Sequence, residues 1–252
     1  MSLQGKVAVV TGGGSGMGAD IARKLVNSGA KVVINGRNSK KLSDVAKDID
    51  PEGNNIACIS GDIGKHETRQ NIIDTALSSF NGLDILVNNA GIFFPKPFLE
   101  HTESDLEQYL NVLRGYFFLT QLAVKNMLNN RHSAIINIGS MWSLQGIAAT
   151  PNSAAATAKG GVHALTRNLA IEFAHKNIRV NAIAPAVVET PLYDPIMTRQ
   201  QLSTFKSFHP LGRNGVTNDI SRAVLFLADE DSSGWITGVI LPVDGGVTAG
   251  RH

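Results

Sequence analysis

The sequence predicts an α/β protein built on a doubly wound parallel sheet of about seven strands. Three observations predict it. Short apolar runs rich in β-branched residues alternate with segments of helical periodicity. The runs are apolar almost throughout, as strands covered on both faces must be. Glycines fall singly or in short clusters after those runs, where a chain turns, and form no long linker.

The strands are read at residues 7–10, 32–34, 56–59, 85–87, 135–138, 180–183 and 239–243. Between them lie amphipathic stretches carried by Ile21, Ala22 and Leu25, by Leu42, Val45, Ala46 and Ile49, and by Ile72, Ile73, Ala76 and Leu77. Longer ones come around 105–129 and 155–175. Strict alternation of strand and helix implies parallel pairing with helices on both faces. No composition shift marks a boundary, so residues 1–252 are expected to form a single domain. In such folds ligands bind beyond the carboxyl ends of the strands, so the chemistry is sought in the loop after each strand.

Composition excludes several function classes. Of 252 residues, 43% are hydrophobic and 17% charged, ordinary globular usage. The formal net charge is +2 with no run of five like charges, and aromatics are 6%, so no nucleic-acid surface is expected. Cys58 is the single cysteine, which precludes an intrachain disulfide or a cysteine zinc cluster; no metal is expected, and a reducing compartment is the simplest setting. The stretch Val7–Val10 is too short for a signal-peptide core and no later run approaches a membrane span. A cytoplasmic protein with no membrane partner is the expectation.

The first strand runs into Thr11-Gly12-Gly13-Gly14-Ser15-Gly16-Met17-Gly18, and then into a helical stretch. Strand, glycine loop and helix in that order form a pyrophosphate cradle: glycine lets backbone approach the phosphates, and the helix N-terminus offers free N–H groups and the positive end of its dipole. Glycines at 12, 16 and 18 depart from the commonest dinucleotide spacing but keep its logic. Strand two ends Asn35-Gly36-Arg37-Asn38, with no acidic residue for a ribose 2′-hydroxyl. Arg37, with Lys40 and Lys41 just beyond, suits a 2′-phosphate through charge-assisted hydrogen bonds. NADP(H) is therefore favoured, NAD(H) being the alternative. After strand three, the Asp62 carboxylate of Asp62-Ile63 either accepts from an adenine amino group or starts a helix.

Strand four leads into Asn88-Asn89-Ala90-Gly91. With the glycine loop, Asn111, Ile138-Gly139-Ser140, Asn181-Ala182-Ile183-Ala184-Pro185, Pro210-Leu211-Gly212-Arg213, Thr237-Gly238 and Val243-Asp244-Gly245-Gly246, it makes the chain resemble the classical short-chain dehydrogenases/reductases over essentially its full length. The resemblance implies a Rossmann-type domain, a homotetramer or at least a dimer built on the segments 105–129 and 155–175 with the C-terminal segment, and hydride transfer between NADP(H) and a ketone or secondary alcohol. It places Ser140 on the substrate oxygen, Lys159 on the nicotinamide ribose, Asn111 on a water leading to Lys159, and Asn89, Ala90 and Gly91 beside the cofactor. It also makes Val188 and Thr190 contacts to carboxamide and phosphate, and residues 192–214, with Tyr193, Met197, Phe205, Phe208 and His209, a substrate lid. Phe93, Phe94, Phe98, Met141 and Trp142 are expected to make the pocket apolar. Gly139 and Ala186 depart from the family pattern of Ser and Gly.

One departure is of another order. The family pairs a tyrosine with a lysine four residues later, on one helical face. Lys159-Gly160-Gly161-Val162 matches the lysine, and the tyrosine position is Ala155. A register through Ser153 and Thr157 would lose both groups. Carbonyl reduction needs a proton donor at the oxygen; a methyl group has none, and Tyr109, Tyr116 and Tyr193 lie in other segments. Because Asn111, Ser140 and Lys159 remain, a deliberately inactivated reductase is preferred to a natural nucleotide-binding scaffold without catalysis. A sugar-nucleotide epimerase is disfavoured because the chain ends soon after Gly246.

Overall fold

The computed structural model describes residues 2–250. Seven strands, β1 (Val7–Thr11), β2 (Lys31–Gly36), β3 (Ile56–Ser60), β4 (Ile85–Asn88), β5 (Ser133–Ile138), β6 (Ile178–Pro185) and β7 (Ile240–Val243), form one parallel sheet in the order β3-β2-β1-β4-β5-β6-β7. Each predicted strand is present, most of them lengthened by a residue or two because the polar residues at their ends also join the ladder. The strand at 239–243 begins one residue later than expected, at Ile240.

The period of two sorts side chains between the faces. In β1, Ala8 and Val10 join a core with Ile34, Ile136, Ile183 and the helices α1 (Gly16–Asn27) and α7 (Thr217–Ala228). Val7 and Val9 face the opposite core, built with Val33, Leu86, Ile135 and Val180 against α3 (His66–Phe80), α4 (Glu103–Met127) and α5 (Ser153–Phe173). Helix α2 (Ser39–Ile49) covers β2 and β3 through its buried Leu42, and two short helices, α6 (Arg199–Ser203) and α8 (Glu230–Ser233), complete the set. Among the described residues no helix is long and apolar enough to cross a membrane.

A buried polar chain ties the sheet to the helices carrying the site. Asn88 donates to Thr120 of α4 and to the Asn137 side-chain oxygen, both at 2.9 Å, and Asn137 donates to Thr166 of α5 at 2.9 Å. These groups are almost fully buried, so each bond also averts the penalty of an unpaired polar group. The strand order turns back between β1 and β4, and the cleft opens there, at the strands' carboxyl ends.

Candidate functional site

The cleft encloses about 500 Å³. Its phosphate end is backbone. Gly12 and Gly16 have positive φ, +68° and +52°, which favours glycine. A Cβ on Gly18 would stand 2.1 Å from the Gly12 carbonyl oxygen, and one on Gly12 would stand 2.9 Å from Ala90 Cα. Ser15 caps α1 without a side-chain bond and the first turn carries no acid, so the amides after Ser15, at Gly16, Met17 and Gly18, keep their donors for a ligand. Thr190 lies against the loop: a Cβ on Gly16 would meet its Cβ at 3.2 Å.

Beyond β2, Arg37 is exposed on the cleft wall beside Lys41, and among the described residues its guanidinium has no ion-pair partner. Lys40 is engaged, at 2.7 Å from Asp44. Asp62 makes a local turn, its Oδ1 accepting from the Gly64 amide at 2.8 Å, and its oxygens also accept from Asn111 Nδ2 at 3.3 and 3.1 Å. Asn111 is thus held by Asp62 on the cleft wall, and among the described residues it makes no direct bond to Lys159. Ile63 is buried under Gly115, whose missing Cβ leaves its place.

Thr11 locks the crossing between β1 and β4. Its Oγ1 accepts from the amides of Asn89 and Ala90 at 2.9 and 3.0 Å, while Asn89 Nδ2 donates to the carbonyls of Thr11 and Gly12. Ala90 and Gly91 line the cleft behind this lock, and the Tyr116 hydroxyl donates to the Ala90 carbonyl at 2.9 Å.

Ala155 and Lys159 share one face of α5 and line the cleft, whereas Thr157 is exposed and bonded to the Ser153 carbonyl. Lys159 Nζ donates to the Ile138 carbonyl at 2.5 Å and to the Tyr116 hydroxyl at 3.4 Å. Burial draws its pKa down to about 8 and pushes the Tyr116 phenol upward. Ser140 Oγ accepts from the Trp142 amide at 3.3 Å, a strand-end bond that leaves its own O–H free to donate. Two phenols lie near this face: Tyr109 packs near Ala155 with its hydroxyl bonded to Phe94 N and O, and Tyr193, pushed up to about 12 by burial, packs edge-on to Phe93 from across the cleft.

The segment 192–214 reaches both cleft walls, through Leu192 and Tyr193 and through Phe208 stacked on Trp142 at 6.0 Å. The aromatic pocket is smaller than expected. Phe93 and Trp142 line it and Met141 is buried behind, but Phe94 and Phe98 are 50% and 75% exposed, because the chain after Phe93 leaves the cleft for a short 3-10 turn at Phe98–Glu100. Val188 is buried in the sheet core and lines a smaller hollow, with Pro185 and Ala186 taking the cleft wall.

Three residues were missed by sequence reasoning: Thr11, Tyr116 and His163. The last lies one turn beyond Lys159, 2% exposed, its Nε2 3.4 Å from the Ser140 amide. Burial, the Lys159 charge and Arg167 hold its pKa down to about 4, so it accepts as a neutral ring. It also explains Gly139, where a Cβ would stand 2.2 Å from that nitrogen. The four-residue spacing from Lys159 was the available signal.

Known proteins resemble this chain in sequence and fold. The family model described as enoyl-(acyl carrier protein) reductase, of the short-chain dehydrogenase type, matches residues 12–248. The BbsD subunit of a hydroxy(phenyl)methylsuccinyl-CoA dehydrogenase from Thauera aromatica is 37% identical, covering 98% of both chains. A 3-oxoacyl-(acyl-carrier-protein) reductase of Aquifex aeolicus is 35% identical over 98% of this chain and 99% of its own. The crystal structure of a 3-ketoacyl-(acyl-carrier-protein) reductase from Brucella melitensis, complexed with NADH, superposes with a TM-score of 0.90 at 34% identity over 98% of this chain and all of its own. On sheet order, glycine loop and these matches together, the chain belongs to the short-chain dehydrogenase/reductase family of oxidoreductases.

Proposed function

We propose that the chain binds NADP(H) and is built to interconvert a ketone and a secondary alcohol, with its acid/base position vacated at Ala155. The observation that supports this best is one cleft presenting uncapped amides after Ser15, the Arg37 guanidinium and the Lys159 amine. The donor set fits a dinucleotide: Gly12, Ser15, Gly16, Met17 and Gly18 would hold the pyrophosphate with Thr190, Arg37 the 2′-phosphate, Asp62 and Ile63 the adenine, Asn89, Ala90 and Gly91 the adjoining wall, and Lys159 the nicotinamide ribose, with Pro185 and Ala186 rather than Val188 on the facing wall. Bound there, the reduced nicotinamide supplies hydride to the carbonyl carbon. Ser140 donates to the carbonyl oxygen, and Lys159 sets a positive charge near it. Ala155 gives no proton, so turnover is expected to be slow. Residues 192–214 act as the lid over an apolar ketone, in a cytoplasmic setting. The relatives' 3-oxoacyl and hydroxyacyl-CoA chemistry, also ketone against secondary alcohol, agrees with that substrate class.

A second reading, a nucleotide-binding scaffold without catalysis, is favoured by the engagement of Tyr109 and Tyr116 elsewhere. Binding is common to both, and because the Brucella relative is complexed with NADH, NADP(H) and NAD(H) are compared directly. Calorimetric titration is expected to show NADPH binding at least about tenfold more tightly than NADH, and Arg37→Asp to remove or reverse that preference. Equal affinities, or a preference untouched by the substitution, would exclude the 2′-phosphate role.

For assembly we propose a homotetramer closed by α4 and α5 with the C-terminal segment. Phe117 and Phe118 on α4 and Ile171 on α5 are 47%, 41% and 80% exposed, apolar surface that the sheet leaves uncovered. Light scattering at micromolar concentration should give about four times the chain mass; a monomer would refute the assembly.

A further inference from the structure

The Lys159 amine is surrounded by neutral groups. Its nitrogen donates to the Ile138 carbonyl and the Tyr116 hydroxyl, and lies 5.0 Å from the centre of the Tyr116 ring. Its titratable neighbours are the Tyr116 phenol, which burial keeps protonated, and His163, one turn on, which is uncharged at neutral pH, while Arg167 beyond it is the nearby cation. Among the described residues no carboxylate pairs with the ammonium. A neutral amine has two hydrogens, and here both have acceptors. Its lone pair is left over, and Lys159 and Ala155 line the same open cleft. Ala155, one turn earlier, ends at its methyl group, where a longer side chain would cover the approach.

We propose that Lys159 is a nucleophilic amine that condenses reversibly with small apolar aldehydes and ketones entering the cleft between Phe93 and Trp142. The lone pair attacks the carbonyl carbon, a C–N bond forms, and the C=O π pair moves onto oxygen. The amine's protons pass to that oxygen, the C–O bond breaks, and water leaves as the imine forms. Nothing is oxidised or reduced, and no group beyond the carbonyl compound is needed. Burial adds to reactivity: with a pKa of about 8, roughly a tenth of the amine is neutral at pH 7, against well under a thousandth for an ordinary lysine near 10.4.

The test traps the imine. The folded chain is incubated with benzaldehyde at pH 7 and reduced with borohydride, and benzylated lysines are located by peptide mass mapping. Lys159 is expected to react at least about tenfold faster than exposed lysines such as Lys40, with its rate falling as the pH drops below about 8. Ala155→Tyr is expected to slow that reaction by about tenfold, because the phenol would fill the approach. Benzylation confined to exposed lysines, or an unchanged Lys159 rate in Ala155→Tyr, overturns the proposal. Neither readout passes through NADP(H) binding or turnover, so failure as a reductase and failure of this chemistry are separate outcomes.

Discussion

Replacing Ala155 by Tyr is expected to raise NADPH-dependent turnover across a ketone panel by about 10²–10⁴, the usual contribution of a general acid, or roughly 3–5 kcal/mol of barrier. A tyrosine at 155 stands one helical turn before Lys159, whose ammonium would stabilise phenolate and bring a pKa of about 10 toward working pH. The position is 9% exposed on the cleft wall, packed with Ala154 and Ala158 on its own helix and with the Tyr109 ring, so the phenol would extend along the cleft beside that ring. In that background Lys159→Met should return the rate to that of the present chain, and Ser140→Ala should lower it. Initial rates at saturating NADPH decide the matter. Comparable rates with Ala and Tyr would mean another acid; undetectable turnover in both, with tight NADPH binding, would favour the scaffold.

Gly18→Ala is expected to lower stability by about 3 kcal/mol and to abolish measurable NADPH binding. Helix propensity alone predicts the reverse, a gain of roughly 0.5–1 kcal/mol over glycine. Against it stands a Cβ placed 2.1 Å from the Gly12 carbonyl oxygen and 2.6 Å from Asn89 Nδ2. Overpacking against movable side chains already costs about 1–3 kcal/mol, and here the obstacle is a backbone carbonyl held by Asn89 Nδ2. For a chain of this size the Tm should fall by about 6–12 °C. Calorimetry on the free protein reads the stability and titration reads the binding; an unchanged Tm would show that the loop yields and that the cradle is wider than its geometry implies.

The strands were legible because parallel strands covered on both faces are written in the chain as uninterrupted runs such as Val32-Val33-Ile34. The glycine loop was legible because its residues are consecutive. Helix α7 went unread, since its apolar positions, Ile220, Val224 and Leu227, come after a long irregular segment that masks the period. Thr11 was invisible for a different reason: its meaning lies in amides 78 and 79 residues away. Asp62 is instructive, since sequence offered it two roles and the fold adds a third partner, Asn111, 49 residues downstream. Phe94 and Phe98 misled because hydrophobicity marks a pocket and an outer surface alike.

The contact between Gly139 and His163 makes each residue conditional on the other. A serine at 139 alone would meet the imidazole, and a smaller side chain at 163 alone would leave a hollow under Ser140 and an amide without its acceptor. Changed together, the two losses offset one another. A survey that substitutes one position at a time would grade both as immutable, although the pair is free to drift by a correlated double step. A side chain at 139 is therefore expected to be accommodated only together with a smaller residue at 163, which a double substitution compared with each single one would show.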